Sequence, residues 1–130
     1  SVTPGGHQRP PLVAAYVAPS TAVERTIAEV WETLLGIREV GVHDDFLELG
    51  GHSLLATQVM WRVSEVFQVE PPLRLLFEAP TVAKFSAALG AMVDQGAHQP
   101  GRAEAMARVH LRVSRMSAAD VQRLLAAKRA

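Results

Sequence analysis

Cysteine is absent from the 130 residues, so disulfide staples and a thiol nucleophile are excluded, and a reducing, cytoplasmic setting is the expectation. No apolar run is long enough to span a bilayer, and no basic-then-apolar leader stands at the N-terminus. The chain does not begin with methionine, as expected of a piece of a longer polypeptide. His43 and His52 have no second pair of His, Cys or carboxylate residues at ligand spacing, so no metal is expected. A serine nucleophile elbow is lacking as well, because Leu55 stands where Gly-x-Ser-x-Gly needs its second glycine. His52 adjoins Ser53 and is badly placed to act as base on its neighbour's hydroxyl, and so short a chain leaves little room for a triad and a substrate pocket. No catalytic residue is expected, and no internal repeat is evident.

The chain does have 48% apolar residues, enough for one small domain with an appendage. Net charge is zero only because two segments cancel: residues 1–100 hold 6 Lys/Arg against 11 Asp/Glu, and residues 101–130 hold 7 against 2. Such asymmetry points to different partners for body and tail. The acidic body argues against duplex DNA, for which the tail supplies too few phosphate contacts.

Pro4, Gly5, Gly6, Pro10, Pro11 and Pro19 mark residues 1–19 as a linker. Thr21 and Glu24 have the spacing of a capping box, and Val23, Ile27, Val30, Trp31, Leu34 and Leu35 follow as one helical apolar stripe ended by Gly36. Residues 37–52 form a long connection, with Ile37, Val42, Phe46 and Leu49 turned inward and Asp44, Asp45 and Glu48 expected in solvent. Gly50 and Gly51 permit a sharp bend, after which Ser53 is expected to cap a second helix running to about Phe67. In that helix Leu55, Val59, Val63 and Val66 share the inward face, while Leu54, Gln58 and Trp61 share a flank. Pro71 and Pro72 stop it. A short third helix is expected to turn Leu73, Leu76 and Phe77 inward, and Thr81 to cap a fourth that buries Val82, Phe85 and Leu89 and ends near Asp94. The pattern is all-α.

The string Asp45-Phe46-Leu47-Glu48-Leu49-Gly50-Gly51-His52-Ser53-Leu54-Leu55-Ala56 resembles the modification site of peptidyl carrier (thiolation) domains of nonribosomal peptide synthetases. The resemblance covers roughly residues 16–92 and implies an acyl-carrier-like four-helix bundle, three helices long and one short, with flexible extensions on either side of a carrier domain at 20–93. It further implies covalent 4′-phosphopantetheine on the Ser53 hydroxyl, delivered from coenzyme A by a phosphopantetheinyl transferase, with Gly51 and His52 shaping the approach. The arm's thiol would carry aminoacyl, peptidyl or acyl groups as thioesters. An adenylation domain upstream and a condensation domain downstream are the partners implied, and Leu54 and Trp61 the expected contacts on the second helix. Histidine rather than aspartate before the serine favours the peptidyl branch over polyketide acyl carriers. An isolated domain of this kind would be a monomer, with no nucleic acid or membrane as partner.

Residues 94–115 are rich in Gly, Ala, His, Gln and Arg and are expected to be mostly flexible, within a tail spanning 94–130. Order-like signals return at about 116–127: Ser117 stands three before Asp120, and Val121, Leu124 and Leu125 make a short apolar stripe. The segment resembles the short motifs that trail carrier domains at a subunit's end and engage a docking domain, although Ala118 and Ala119 replace the acidic pair after Met116 and Ser117. Met116, Val121, Leu124 and Leu125 are therefore the candidate docking residues.

Overall fold

The computed structural model describes residues 15–115 and 118–129. Among them are six helices: α1 (Ala22–Leu35), α2 (Ser53–Phe67), α3 (Arg74–Glu78), α4 (Val82–Ala97), α5 (Arg102–Ser114) and α6 (Ala118–Arg129). α1 begins as its sequence requires, with the Thr21 hydroxyl accepting from the Glu24 amide and the Glu24 carboxylate accepting from the Thr21 amide. It ends at Gly36 in the left-handed conformation, φ 68°. Thr81 caps α4 through the Lys84 amide. One core joins α1 to α5, centred on Ile27, Trp31, Val59, Val63, Phe67, Leu76, Phe85 and Leu89.

The connection from α1 to α2 is bound down along its length. The Glu32 carboxylate accepts from the Val40 amide at 2.9 Å, and desolvation by burial raises its pKa above the ordinary glutamate value. Val40 is fully buried beside the expected Ile37, Val42, Phe46 and Leu49. Asp44, expected in solvent, is instead fully buried, its carboxylate accepting from the Gly41 amide at 2.8 Å. A short acidic side chain that closes a turn on a nearby amide can leave water in a way that composition does not reveal. Asp45 is half-buried and closes the next turn through the Leu47 amide, while Glu48 is exposed as expected. An isolated antiparallel bridge, Asp45 to Thr81, ties the connection to the start of α4.

Around α3 only Leu76 meets the expectation of burial; Leu73 and Phe77 are exposed. One turn of helix offers the core a single position, and Leu76 fills it.

The larger departure follows α4. Residues 94–115 are helical almost throughout, and α5 packs on α1, α2 and α4 with Ala103, Ala107 and Leu111 buried. Two of those three contacts are alanines, and a Cβ built on Gly90 of α4 would stand 4.0 Å from the Ala103 Cβ, so the two backbones approach closely. Two carboxylates fix the first turn of α5. Asp94 accepts from the amides of Gly101 and Ala103 at the start of α5, and Glu104 accepts from the amides of Ala22 and Val23 at the start of α1. The domain body therefore extends past the expected limit at residue 93. No helix among the described residues is long and apolar enough to cross a membrane.

Candidate functional site

Ser53 is the first residue of α2 and lies exposed at its N-terminus. It is not the cap. His52 holds that position in an extended conformation, φ −151°, and its side chain caps nothing. The first-turn amides of α2 consequently lack the side-chain acceptor that Thr21 and Thr81 supply to α1 and α4. A helix end in that condition favours an anion.

Two glycines set the approach for different reasons. Gly50 has φ 103°, which a side chain would strain, and nothing lies within 4 Å of the Cβ it lacks. Gly51 has no such backbone requirement; a Cβ there would meet the Phe46 ring at 2.3 Å. That ring packs edge-on against Trp31, with centroids 5.2 Å apart and planes at 64°. Gly51 also donates to the Phe46 carbonyl at 2.9 Å, and Phe46 to the Pro80 carbonyl at 2.7 Å. The bend before the serine thus rests on the aromatic centre of the core, and the serine's position is set by packing rather than by a loose loop.

Along α2, Leu54 is 64% and Trp61 61% exposed. Trp61 is therefore mostly open to solvent. The inward face carries Ala56, Val59, Met60, Val63 and Phe67, with the expected Leu55 and Val66 half-buried at its margins. Leu47, Leu73 and Phe77 are further exposed apolar residues, the last two against the expectation that they turn inward. Of the candidate docking residues, Leu125 on α6 is exposed, Met116 lies outside the described residues, and so do the side chains of Val121 and Leu124. Ser117 is likewise outside them. Among the described residues no three His, Cys, Asp or Glu side chains gather as a metal site.

A family model described as phosphopantetheine attachment site matches residues 25–89, half of the chain and centred on this bend. The chain belongs to that family. Its relatives place it among the peptidyl carrier domains, which are non-catalytic modules bearing phosphopantetheine. Tyrocidine synthase 3 of Brevibacillus parabrevis is 51% identical over 72 residues, 55% of this chain and 1% of that protein. This peptidyl carrier domain thus spans a small fraction of the synthetases it matches. Among solved structures, a peptidyl carrier protein in complex with the phosphopantetheine transferase Sfp and coenzyme A is 42% identical, with a TM-score of 0.57 over 58% of this chain and 99% of that one. A docking domain complex of the Pax synthetase, PaxA T1-CDD with PaxB NDD, is 26% identical with a TM-score of 0.56, and covers 89% of this chain and 93% of its own. That last likeness reaches beyond residues 25–89.

The residues of this peptidyl carrier fit the group the family carries. The hydroxyl is exposed, the helix end it stands on has uncapped amides, and Gly50 leaves open space beside it.

Proposed function

We propose that Ser53 is the attachment residue and that the chain serves a cytoplasmic nonribosomal peptide synthetase, or a hybrid polyketide–peptide assembly line, as its peptidyl carrier. The observation that carries this reading is the exposed Ser53 hydroxyl on the uncapped first turn of α2, behind a bend braced by Phe46 against Trp31. Attachment would join Ser53 Oγ to the phosphopantetheinyl phosphate of coenzyme A, with 3′,5′-ADP leaving and the hydroxyl proton passing to the transferase. The first-turn amides of α2, which no side chain caps, would hold the phosphodiester, whose charge the helix dipole favours. Gly51 and His52 border the approach without obstructing it. Once bound, the group supplies a thiol on a long flexible arm, able to hold aminoacyl, peptidyl or acyl groups as thioesters.

Partners follow from the same surface. The transferase must reach Ser53, and an adenylation domain loads the arm before a condensation domain unloads it; the exposed Leu54 and Trp61 beside the serine offer these enzymes an apolar foothold. The likeness to a carrier–docking domain complex supports a docking role for α5 and α6, with Met116, Val121, Leu124 and Leu125 among the contacts. Docking of this kind would pass the intermediate to a separate polypeptide.

The test is intact mass after incubation with coenzyme A, magnesium and a broad-specificity phosphopantetheinyl transferase, followed by fragmentation. A single phosphopantetheinyl adduct on Ser53 is expected. An adduct elsewhere, or none on the folded protein, would overturn the assignment.

A further inference from the structure

α5 is apolar on two sides, and the body covers one of them but only the Met106 end of the other. Ala103, Ala107 and Leu111 face inward, while Met106, Val109 and Val113 recur at i, i+3 and i+7 on another face. Val109 is 63% and Val113 41% exposed. These three form one wall of an open groove of about 490 Å³, whose other wall is Glu65, Val66 and Gln68 near the C-terminal end of α2. We infer that this groove is a docking site for an acidic amphipathic helix of another polypeptide.

Charge selects that occupant. Arg102 lines the groove, and Arg112 lies exposed on the same side of α5 by helical spacing. The acidic residue of α5, Glu104, is engaged with the α1 amides and with Arg108, and Arg115 pairs with Glu29 at 3.4 Å. Glu65 is the one carboxylate among the lining residues, set against Arg102 and His110. Beyond the groove, residues 101–130 hold 7 basic residues against 2 acidic. A second copy pairing through this face would bring like charges together, and α6 with Arg123, Lys128 and Arg129 is a poor occupant for the same reason. An acidic helix with apolar residues at i, i+3 or i+4, and i+7 meets both the stripe and its rim.

The location suits a carrier. Glu65 is twelve residues along α2 from Ser53, which places the groove about 18 Å from the attachment point at 1.5 Å per residue. A partner seated there leaves Ser53, Leu54 and Trp61 open, so the carrier could be held while the arm is served by a catalytic domain.

The inference rests on the docking role proposed above and can fail separately from it. The probe is a capped synthetic peptide of glutamate and alanine, with leucines at i, i+4, i+7 and i+11, titrated into the full chain while backbone amides are followed by NMR. Saturable shifts at Val66, Met106, Val109 and Val113 are expected, with affinity falling about tenfold or more between low and high salt. The lysine counterpart of the peptide should not bind, and the Val109→Glu/Val113→Glu variant, altered only at exposed positions, should lose binding while its helix content and Ser53 modification persist. No saturable shift, shifts centred on Leu54 and Trp61, equal binding of the lysine peptide, or concentration-dependent self-association through this face would each overturn the groove assignment. Transfer to the polypeptide that follows separates the two ideas: dependence on residues 116–130 but not on Val109 and Val113 keeps docking and removes the groove, whereas dependence on neither removes docking itself.

Discussion

The Glu104 carboxylate stands 2.7 Å from the Ala22 amide and 3.1 Å from that of Val23, so a residue of α5 caps the first turn of α1 across 82 positions of sequence. This contact makes α5 part of the body. Glu104→Ala should strip two first-turn amides of their acceptor and cost about 2 kcal/mol, in the range for hydrogen bonds to a charged group. Urea unfolding measures it. Truncation after residue 100 should destabilise further by removing the buried Ala103, Ala107 and Leu111 and uncovering the faces of α1, α2 and α4 on which α5 packs, whereas truncation after Arg115 should change stability little. Equal stability for the two truncations would mean that α5 does not hold the body together.

A second carboxylate makes the attachment of α5 sensitive to acid. Hydrogen bonds from the Ala103 and Gly101 amides hold the Asp94 pKa below the ordinary aspartate value of 3.8. A depressed carboxylate contributes stability that is complete above its unfolded pKa and is lost as pH falls through the folded one. Amide exchange at Ala103 should therefore quicken, relative to the intrinsic rate, below pH 3.8. Asp94→Ala should show the faster exchange at every pH and lose that part of the acid dependence. Its exposure and the shielding of water make the global effect small.

These two carboxylates also explain which features could be read from sequence. Local chemistry was legible: the Thr21–Glu24 box, the Gly36 terminus, the Thr81 cap and the stripe through Ile27 and Trp31 all stand where spacing put them. The Asp45–Ala56 string located the bend and the exposed serine. α5 was not legible as part of the body, because its inward face is mainly alanine and its anchors are carboxylates acting on amides nine and 82 positions away, at neither of which composition marks a partner. Asp44 escaped for a related reason, since its turn on Gly41 is visible only once Val40 and Val42 are buried around it.

Ser53→Ala should abolish pantetheinylation by intact mass. Its effect on stability should be small, about 0.5 kcal/mol or less, because an exposed residue that caps nothing is being removed. The extended His52 holds the cap position, so the loss of a full capping contact, about 1 kcal/mol, is not expected. Thermal unfolding distinguishes the two values, and a drop of the larger size would return the capping role to Ser53.

Gly51→Ala should act through Phe46. A methyl at 2.3 Å from that ring forces it off Trp31, an overpacking cost of about 1–3 kcal/mol. The cause can be isolated with Phe46→Leu, which removes the ring edge: the double variant should be less destabilised than the sum of the single ones. Gly50→Ala provides the contrast, because open space surrounds it and its cost comes from φ 103° alone. No relief by Phe46→Leu would implicate the backbone at Gly51 instead.

Leu54 and Trp61 allow stability and recognition to be pulled apart. Both are more than half exposed on α2, so Leu54→Ala and Trp61→Ala should leave unfolding within about 0.5 kcal/mol of the parent. They should nevertheless slow modification or loading, since a large side chain that serves as an interface anchor can cost about 1 kcal/mol or more, roughly fivefold, when truncated. Comparing each variant with the transferase and with an adenylation domain assigns the contact. Trp61 is eight residues from Ser53, or about 12 Å along the helix, within reach of an enzyme already engaged at the serine. A loss confined to one enzyme would mark Trp61 as a partner-specific contact. Unchanged rates with both would leave its exposure unexplained by partner binding, and would shift attention to Leu47 and Phe77 as exposed apolar residues on either side of α2 in sequence.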